Sequence, residues 1–187
     1  MDSTQRFSTR VEAYVKYRPS YPAAMLDFLA SALAMGPAAR VADIGAGTGI
    51  LTALLAPRVA QVWAVEPNAE MRGAARHQLQ AVANIEWQDG SAEATGLADG
   101  SVDLVTVAQA FHWFDRAAFK QECRRLLRPG GRVALIWNDR LTDTPFLRAY
   151  EEGLHAYSGD YEEVNHRNLG EHDFSAFFEG EYRLDRF

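Results

Sequence analysis

The stretch Val41-Ala42-Asp43-Ile44-Gly45-Ala46-Gly47-Thr48-Gly49 decides how this chain is read. A short, almost wholly apolar run gives way to alternating glycines. Ile50-Leu51-Thr52-Ala53-Leu54-Leu55-Ala56 then follows as a helix pattern stopped by Pro57. Buried strand, glycine turn and helix start are the setting in which a Gly-rich loop cradles a nucleotide-like ligand. Glycine permits left-handed backbone and a close approach of main chain to ligand. The first helical turn leaves N–H groups unpaired and points a positive dipole end outward. A dinucleotide fingerprint, G-x-G-x-x-G, would need its third glycine at position 50, where Ile50 stands. Taken alone, the glycine run also suits an ordinary tight strand-to-helix turn.

Strands and helices alternate on the C-terminal side. Gln61-Val62-Trp63-Ala64-Val65-Glu66 reads as a second strand that ends in an acid before Pro67. The pattern predicts a helix over 71–82, a third strand over 84–88 closing at Asp89-Gly90, and a fourth over 102–107. A helix over 116–127 stops at Arg128-Pro129-Gly130-Gly131, and a fifth strand covers 132–137. Near-continuous apolar strands between helices mean a parallel sheet covered on both faces. Upstream, residues 8–17 form an amphipathic helix with Ser8 as N-cap, ended by Pro19. Pro22 opens a second helix over 23–35. Downstream, 145–157 reads as a helix and 158–172 as a polar segment. Phe174, Phe177 and Phe178 return as apolar anchors, and 182–187 alternates like a strand that begins and is cut off.

Composition narrows the function classes. At 187 residues, with 48% hydrophobic and 24% charged residues, the chain suits one soluble α/β domain. A net charge of −6 argues against a nucleic-acid partner, which would need a basic stripe. No apolar run approaches a membrane span, and the first residues are not a signal peptide. The single cysteine, Cys123, excludes an internal disulfide, suits a reducing cytoplasm and falls on the apolar face of a helix as a packed small hydrophobe. His77, His155, His166 and His172 show no metal-ligand spacing, so no metal site is expected.

In an open α/β sheet, ligands sit at the carboxyl ends of the strands beside the switch point in strand order. Three acids fall at such ends. Asp43 precedes the glycine loop and is expected to accept its backbone N–H groups, a role compatible with ligand binding. Glu66 has acceptor oxygens able to hold two ribose hydroxyls. A nicotinamide enzyme places an acid similarly, so Glu66 points to a nucleoside without naming it. Asp89, with Gly90 and Ser91, reads either as a solvated turn acid or as the acceptor for an adenine amino group.

Asp43-Ile-Gly-Ala-Gly-Thr-Gly, Glu66-Pro-Asn with Met71, Asp89-Gly-Ser-Ala, Asp103 and Arg128-Pro-Gly-Gly resemble, in order and spacing, the class I S-adenosylmethionine-dependent methyltransferases across about residues 40–138. Phe7-Ser-Thr-Arg-Val-Glu-Ala-Tyr-Val-Lys-Tyr-Arg-Pro-Ser-Tyr-Pro, Ala108-Gln-Ala-Phe-His-Trp-Phe and Ile136-Trp-Asn-Asp-Arg look like a small-molecule branch related to the trans-aconitate and quinone-pathway enzymes. The resemblance implies a Rossmann-like, doubly wound, mostly parallel sheet with helices on both faces. It implies one domain, with a helical lid (1–36), a cofactor core (37–138) and a partial substrate-side region (139–187).

By position it implies S-adenosyl-L-methionine as cofactor. Gly45, Gly47 and Gly49 line its methionine part, Glu66 holds the ribose, and Asp89, Gly90 and Ser91 meet the adenine. Pro67, Asn68 and Met71 wall that slot, and Gln109 lies near the sulfonium. Phe111, His112 and Trp113 border a small-molecule acceptor, although Trp113 and Phe114 suit the core equally. Tyr14, Tyr17 and Arg18 belong to the lid, where Arg18 pairs with the methionine carboxylate or with a surface acid. The implied reaction is in-line methyl displacement. His112 is either its general base, where the acceptor needs one, or a structural histidine. The family pattern continues into sixth and seventh strands, whereas this chain reaches Phe187 where the sixth begins. An open sheet edge, an apolar patch of Phe174, Phe177, Phe178 and Phe187, a homodimer through this region and low turnover are the corresponding expectations. The rival readings are a nicotinamide-dependent oxidoreductase and a module that holds the cofactor without turnover.

Overall fold

The computed structural model describes residues 19–157 and 168–187. The expected helix over 8–17, with Tyr14 and Tyr17, lies outside them, as does Arg18. Five strands form one parallel sheet: β1 (Arg40–Ile44), β2 (Gln61–Val65), β3 (Ile85–Gln88), β4 (Val102–Ala108) and β5 (Leu127–Ile136). Their order is β3-β2-β1-β4-β5, so the chain reverses direction across the sheet between β1 and β4. In register, Asp43 stands between Ala64 of β2 and Thr106 of β4. The Rossmann-like, doubly wound arrangement expected from the pattern is the one observed.

Alternation along each strand sorts the core into two layers. Val41, Val62 and Leu104 face α1 (Ala23–Ala32) and α2 (Ile50–Leu55). Ala42, Ile44, Val105 and Val107 face α4 (Arg116–Leu126) and α6 (Glu171–Phe178). The remaining helices are α3 (Ala69–Gln78) and α5 (Pro145–Tyr157). Cys123 is buried in the second layer, where desolvation pushes its thiol far up and leaves a packing group rather than a nucleophile.

Element ends moved for local reasons. The helix expected over 23–35 stops at Ala32. Ala34 takes a left-handed φ of 54°, and Met35 N–H bonds back to the Leu29 carbonyl, which turns Met35 into the core. The helix expected over 71–82 begins earlier because the Asn68 side chain accepts from Glu70 N and Met71 N. The fifth strand starts at Leu127, paired with Val102, and bulges through Pro129-Gly130-Gly131 before pairing again at Arg132.

The C-terminal region departs most. Phe174, Phe177 and Phe178 do not form an exposed patch. They lie on α6, which closes its first turn through Gly170 N–H to Asp173 Oδ2 at 2.9 Å. Phe177 is buried, with its ring 4.9 Å from Phe111 and 5.6 Å from Phe119. Residues 182–187 make no strand. They pass to α1 instead, where Phe187 and Arg183 meet the Phe28 ring at 5.4 and 5.1 Å. These side chains meet an aromatic ring on α1 rather than a strand partner.

Candidate functional site

The glycine loop is fixed from β2. Gly45 N–H and Ala46 N–H both donate to the Val65 carbonyl, at 2.9 and 3.1 Å. Gly47 has φ +58°, and a Cβ there would meet Met71 Cε at 3.3 Å. Gly49 serves packing instead. At φ +80° it caps α2, and a Cβ would press on Leu79, Trp87 and Ala75 at 3.0–3.3 Å.

The two buried acids have distinct partners. Asp43 does not accept from the loop N–H groups, as the sequence suggested. Its Oδ2 accepts from Thr52 Oγ1 at 2.6 Å and its Oδ1 from Thr106 Oγ1 at 3.0 Å, since register and the first turn of α2 bring those hydroxyls closer than the loop. Burial pushes the Asp43 carboxyl up to about 6 despite both hydroxyls. Glu66 is the acid that grips the loop: Oε2 accepts from Gly47 N and Oε1 from Asn68 N, each at 2.8 Å. Desolvation raises its pKa, opposed by those N–H groups and by Arg72. Each Glu66 oxygen keeps a further lone pair for a hydroxyl.

Arg72 was not singled out from the sequence. Its guanidinium donates to the Glu66 and Pro67 carbonyls and reaches Asp89 Oδ2 at 3.0 Å, so α3 ties the end of β2 to the end of β3. Asp89 is itself 73% exposed, Ser91 Oγ accepts from Ala94 N, and Gly90 is held against the Thr95 carbonyl. These residues lie together beyond the carboxyl ends of β2 and β3, with Met71 buried beneath Gly47.

An open cleft lies between the loop and the end of β4, with Asp43, Gly47, Thr48, Gln109 and Tyr21 on its walls. Two polar atoms there are buried without a hydrogen-bond partner: Thr48 Oγ1 and Gln109 Nε2. Gln109 holds a left-handed φ of 60°, and its N–H is anchored on the Ile136 carbonyl at 2.9 Å. Backbone strain of this kind costs about 1–3 kcal/mol and collects where ligands bind. Thr48 and Tyr21 lie within motifs the sequence offers but carry no role there, because only the fold shows that they face the cleft.

The aromatic segment is divided. Phe111, expected to border the acceptor, is fully buried, ringed by Phe114, Phe119, Trp137 and Phe177. The single turn Phe111–Trp113 points its first ring inward and leaves His112 and Trp113 half-buried, 4.9 Å apart. Asp103 lies at the opposite end of the sheet, accepting from Arg40 N and pairing with Arg128, so its role is structural. Among the described residues, no group of three His, Cys, Asp or Glu side chains is placed to hold a metal ion.

A strained glutamine, buried donors without partners, a glycine loop at the cleft and acids at the strand ends suit a nucleoside ligand. Fold and site together define a doubly wound nucleoside-binding domain. Residues 42–135 match the model of a methyltransferase domain, and the chain belongs to that family, the class I S-adenosylmethionine-dependent methyltransferases. An uncharacterised methyltransferase of Mycobacterium tuberculosis is 47% identical over 140 residues, which cover 74% of this chain and 54% of the relative. The ubiquinone/menaquinone biosynthesis C-methyltransferase of Rubrivivax gelatinosus is 39% identical over 97 residues, 51% of this chain and 38% of that protein. The crystal structure of the YcgJ protein from Bacillus subtilis superposes with a TM-score of 0.63 at 29% identity, covering 82% of this chain and 65% of that one. The chain spans about half the length of the first of these relatives.

Proposed function

We propose that this chain binds S-adenosylmethionine in the cleft at the β1–β4 switch point and transfers its methyl group to a small-molecule acceptor. The observation that carries this reading is the double engagement of Glu66. Its carboxylate, at the end of β2, already grips the Gly47 N–H and keeps lone pairs for ribose hydroxyls. Gly45, Gly47, Thr48 and Gln109 would then receive the methionine portion, and Pro67, Met71, Asp89, Gly90 and Ser91 the adenine. The cofactor supplies a methyl group on a sulfonium, which is a good leaving group without help from the protein. What remains for the chain is to hold cofactor and acceptor in line and to exclude water. His112 and Trp113 border the acceptor side in this reading, with His112 holding a proton at an imidazole nitrogen when the acceptor must lose one.

The Rubrivivax relative is named for a small-molecule C-methylation, which favours a small metabolite as acceptor. The chain acts as a single domain, with Tyr14, Tyr17 and Arg18 assigned to a lid by resemblance alone. We place it in the cytoplasm on the strength of its single, buried cysteine, and no helix among the described residues is long and apolar enough to cross a membrane. Exposed Phe146, Tyr150 and Tyr157 on α5 are the surface that would support a homodimer. Native mass spectrometry of the purified chain, calorimetry with S-adenosylhomocysteine and NAD, and a methyl-transfer screen over small metabolites form the test. Micromolar binding of S-adenosylhomocysteine with none of NAD is expected. Binding of NAD alone would overturn the reading.

A further inference from the structure

The connection over residues 89–101 crosses from the ligand end of β3 to the far end of β4 without a helix. Ala92, Thr95 and Leu97 on it are nonetheless buried. Buried irregular backbone needs partners for its N–H and C=O groups, and here α4 provides them. Glu122 Oε1 accepts from Thr95 N at 2.9 Å and from Thr95 Oγ1 at 2.6 Å. Arg125 donates from Nε to Glu122 Oε2 at 2.8 Å, and from Nη1 to the Leu97 carbonyl at 2.7 Å and to Asp99 Oδ1 at 2.6 Å. Glu122 is 7% exposed, so its carboxylate is held away from water, while the Arg125 guanidinium remains partly in solvent. The same connection reaches the N-terminus of α4, where Glu93 Oε1 accepts from Asp115 N at 3.0 Å.

Thr95 is also what fixes the ligand end. The space that a Cβ on Gly90 would occupy lies 2.6 Å from the Thr95 carbonyl oxygen and 3.0 Å from that of Ala94. Ser91 N–H donates to the Ala94 carbonyl at 3.2 Å, closing a tight turn. The backbone of 89–91 therefore rests directly on Thr95, while Arg72 holds the Asp89 side chain from the other side.

Resting on the cofactor assignment above, we infer that Glu122 and Arg125 are positioning residues for nucleobase recognition, setting Asp89, Gly90 and Ser91 through Thr95 without touching the ligand. Helix α4 thus sets the base-reading turn at one end and borders the aromatic segment at the other. The pair is more than a surface ion pair, because Glu122 is buried and serves backbone and hydroxyl donors as well as a guanidinium.

The test compares S-adenosylhomocysteine with S-inosylhomocysteine, which carries an oxo group in place of the adenine amino group, by calorimetry on the full chain. Unsubstituted protein should prefer the adenine compound by about tenfold or more, on the order of one hydrogen bond to a charged group. In Glu122→Gln and in Thr95→Val, affinity for the adenine compound should fall about tenfold while that for the inosine compound stays within about threefold. Arg125→Lys, which keeps the charge but not the fork, should fall between. A role in stability alone would lower the melting temperature and leave the ratio of the two affinities unchanged, which would overturn the inference. Thr95→Val deletes one hydroxyl at nearly constant volume and carries the test if Glu122→Gln does not fold. Equal affinity of the unsubstituted chain for both compounds would also overturn the inference and leave the cofactor assignment standing. Binding of neither compound would overturn both.

Discussion

Replacing Asp43 by asparagine should change how the stability of this domain depends on pH. Asp43 is 1% exposed and its carboxylate is met by two threonine hydroxyls rather than by a cation. Burial moves its pKa from an ordinary 3.8 to about 6, with the nearby Glu66 charge pushing in the same direction. A folded pKa above the unfolded one means that the folded chain holds the proton more tightly. Asp43 therefore favours folding fully below about pH 4, and that contribution is lost as pH rises through about 6. The gap from 3.8 to about 6 corresponds to about 3 kcal/mol. About 2 kcal/mol of that falls between roughly pH 4.5 and pH 8, where unfolding can be followed before general acid denaturation. Asp43→Asn removes the ionisation and keeps the shape. Its weaker bonds to Thr52 and Thr106 subtract a pH-independent amount of about 1–3 kcal/mol. Urea unfolding of both proteins across that range should show the variant gaining about 2 kcal/mol on the parent as pH rises, with most of the gain below about pH 6. Parallel stability curves would mean that Asp43 ionises alike in both states and would refute the reasoning.

Gly47→Val should abolish S-adenosylhomocysteine binding while the circular dichroism spectrum is kept. The strained left-handed backbone and branched side chain are added at the cleft, with Met71 Cε the nearest neighbour at 3.3 Å. Near-normal calorimetric affinity would remove the loop from the site. Glu66→Ala should weaken S-adenosylhomocysteine by about 1–3 kcal/mol, and more than it weakens methionine, since methionine has no ribose. Equal loss for both ligands would assign Glu66 to the loop alone, through its bond to Gly47 N. Phe177→Ala should cost about 3–5 kcal/mol in urea unfolding, because it empties a site between Phe111 and Phe119. A cost below about 1 kcal/mol would detach α6 from the core.

Much of the frame was legible because parallel strands buried on both faces are short apolar runs, here cut by glycine, proline and acids at their ends. The loop at 45–49 and the acids Glu66 and Asp89 followed from that punctuation. Side-chain partners did not. Nothing in the order of residues says that Asp43 would meet Thr52 and Thr106, one a turn into the next helix and the other across a strand in register. Phe111 and Trp113 belong to the same aromatic run, and only the single turn that carries them decides which ring points inward. Helix α6 went unread because eight residues give a weak period, although Gly170 with Asp173 three residues on was a usable start signal. The alternation over 182–187 misled for a related reason: period-two patterning states which face is apolar, not whether a strand partner is present.

The electrostatics of the cleft bear on which nucleoside it accepts. Its described walls carry no lysine or arginine, while Asp43 lines it and Glu66 lies just behind the loop, both buried enough for desolvation to raise their pKa values. A dinucleotide would bring two pyrophosphate charges to this place. Among the described residues they would meet loop N–H groups, of which those of Gly45 and Ala46 are given to Val65 and that of Gly47 to Glu66, and the start of a six-residue helix. Like charges in a partly desolvated cleft repel, and a helix of six residues offers only a small dipole against that. S-adenosylmethionine brings the opposite balance: an ammonium and a sulfonium against one carboxylate. Its two positive groups would lower the cost of keeping Asp43 and Glu66 ionised. Ile50 in place of a third glycine and the buried acids Asp43 and Glu66 beside the loop both suit a cationic nucleoside better than a dinucleotide.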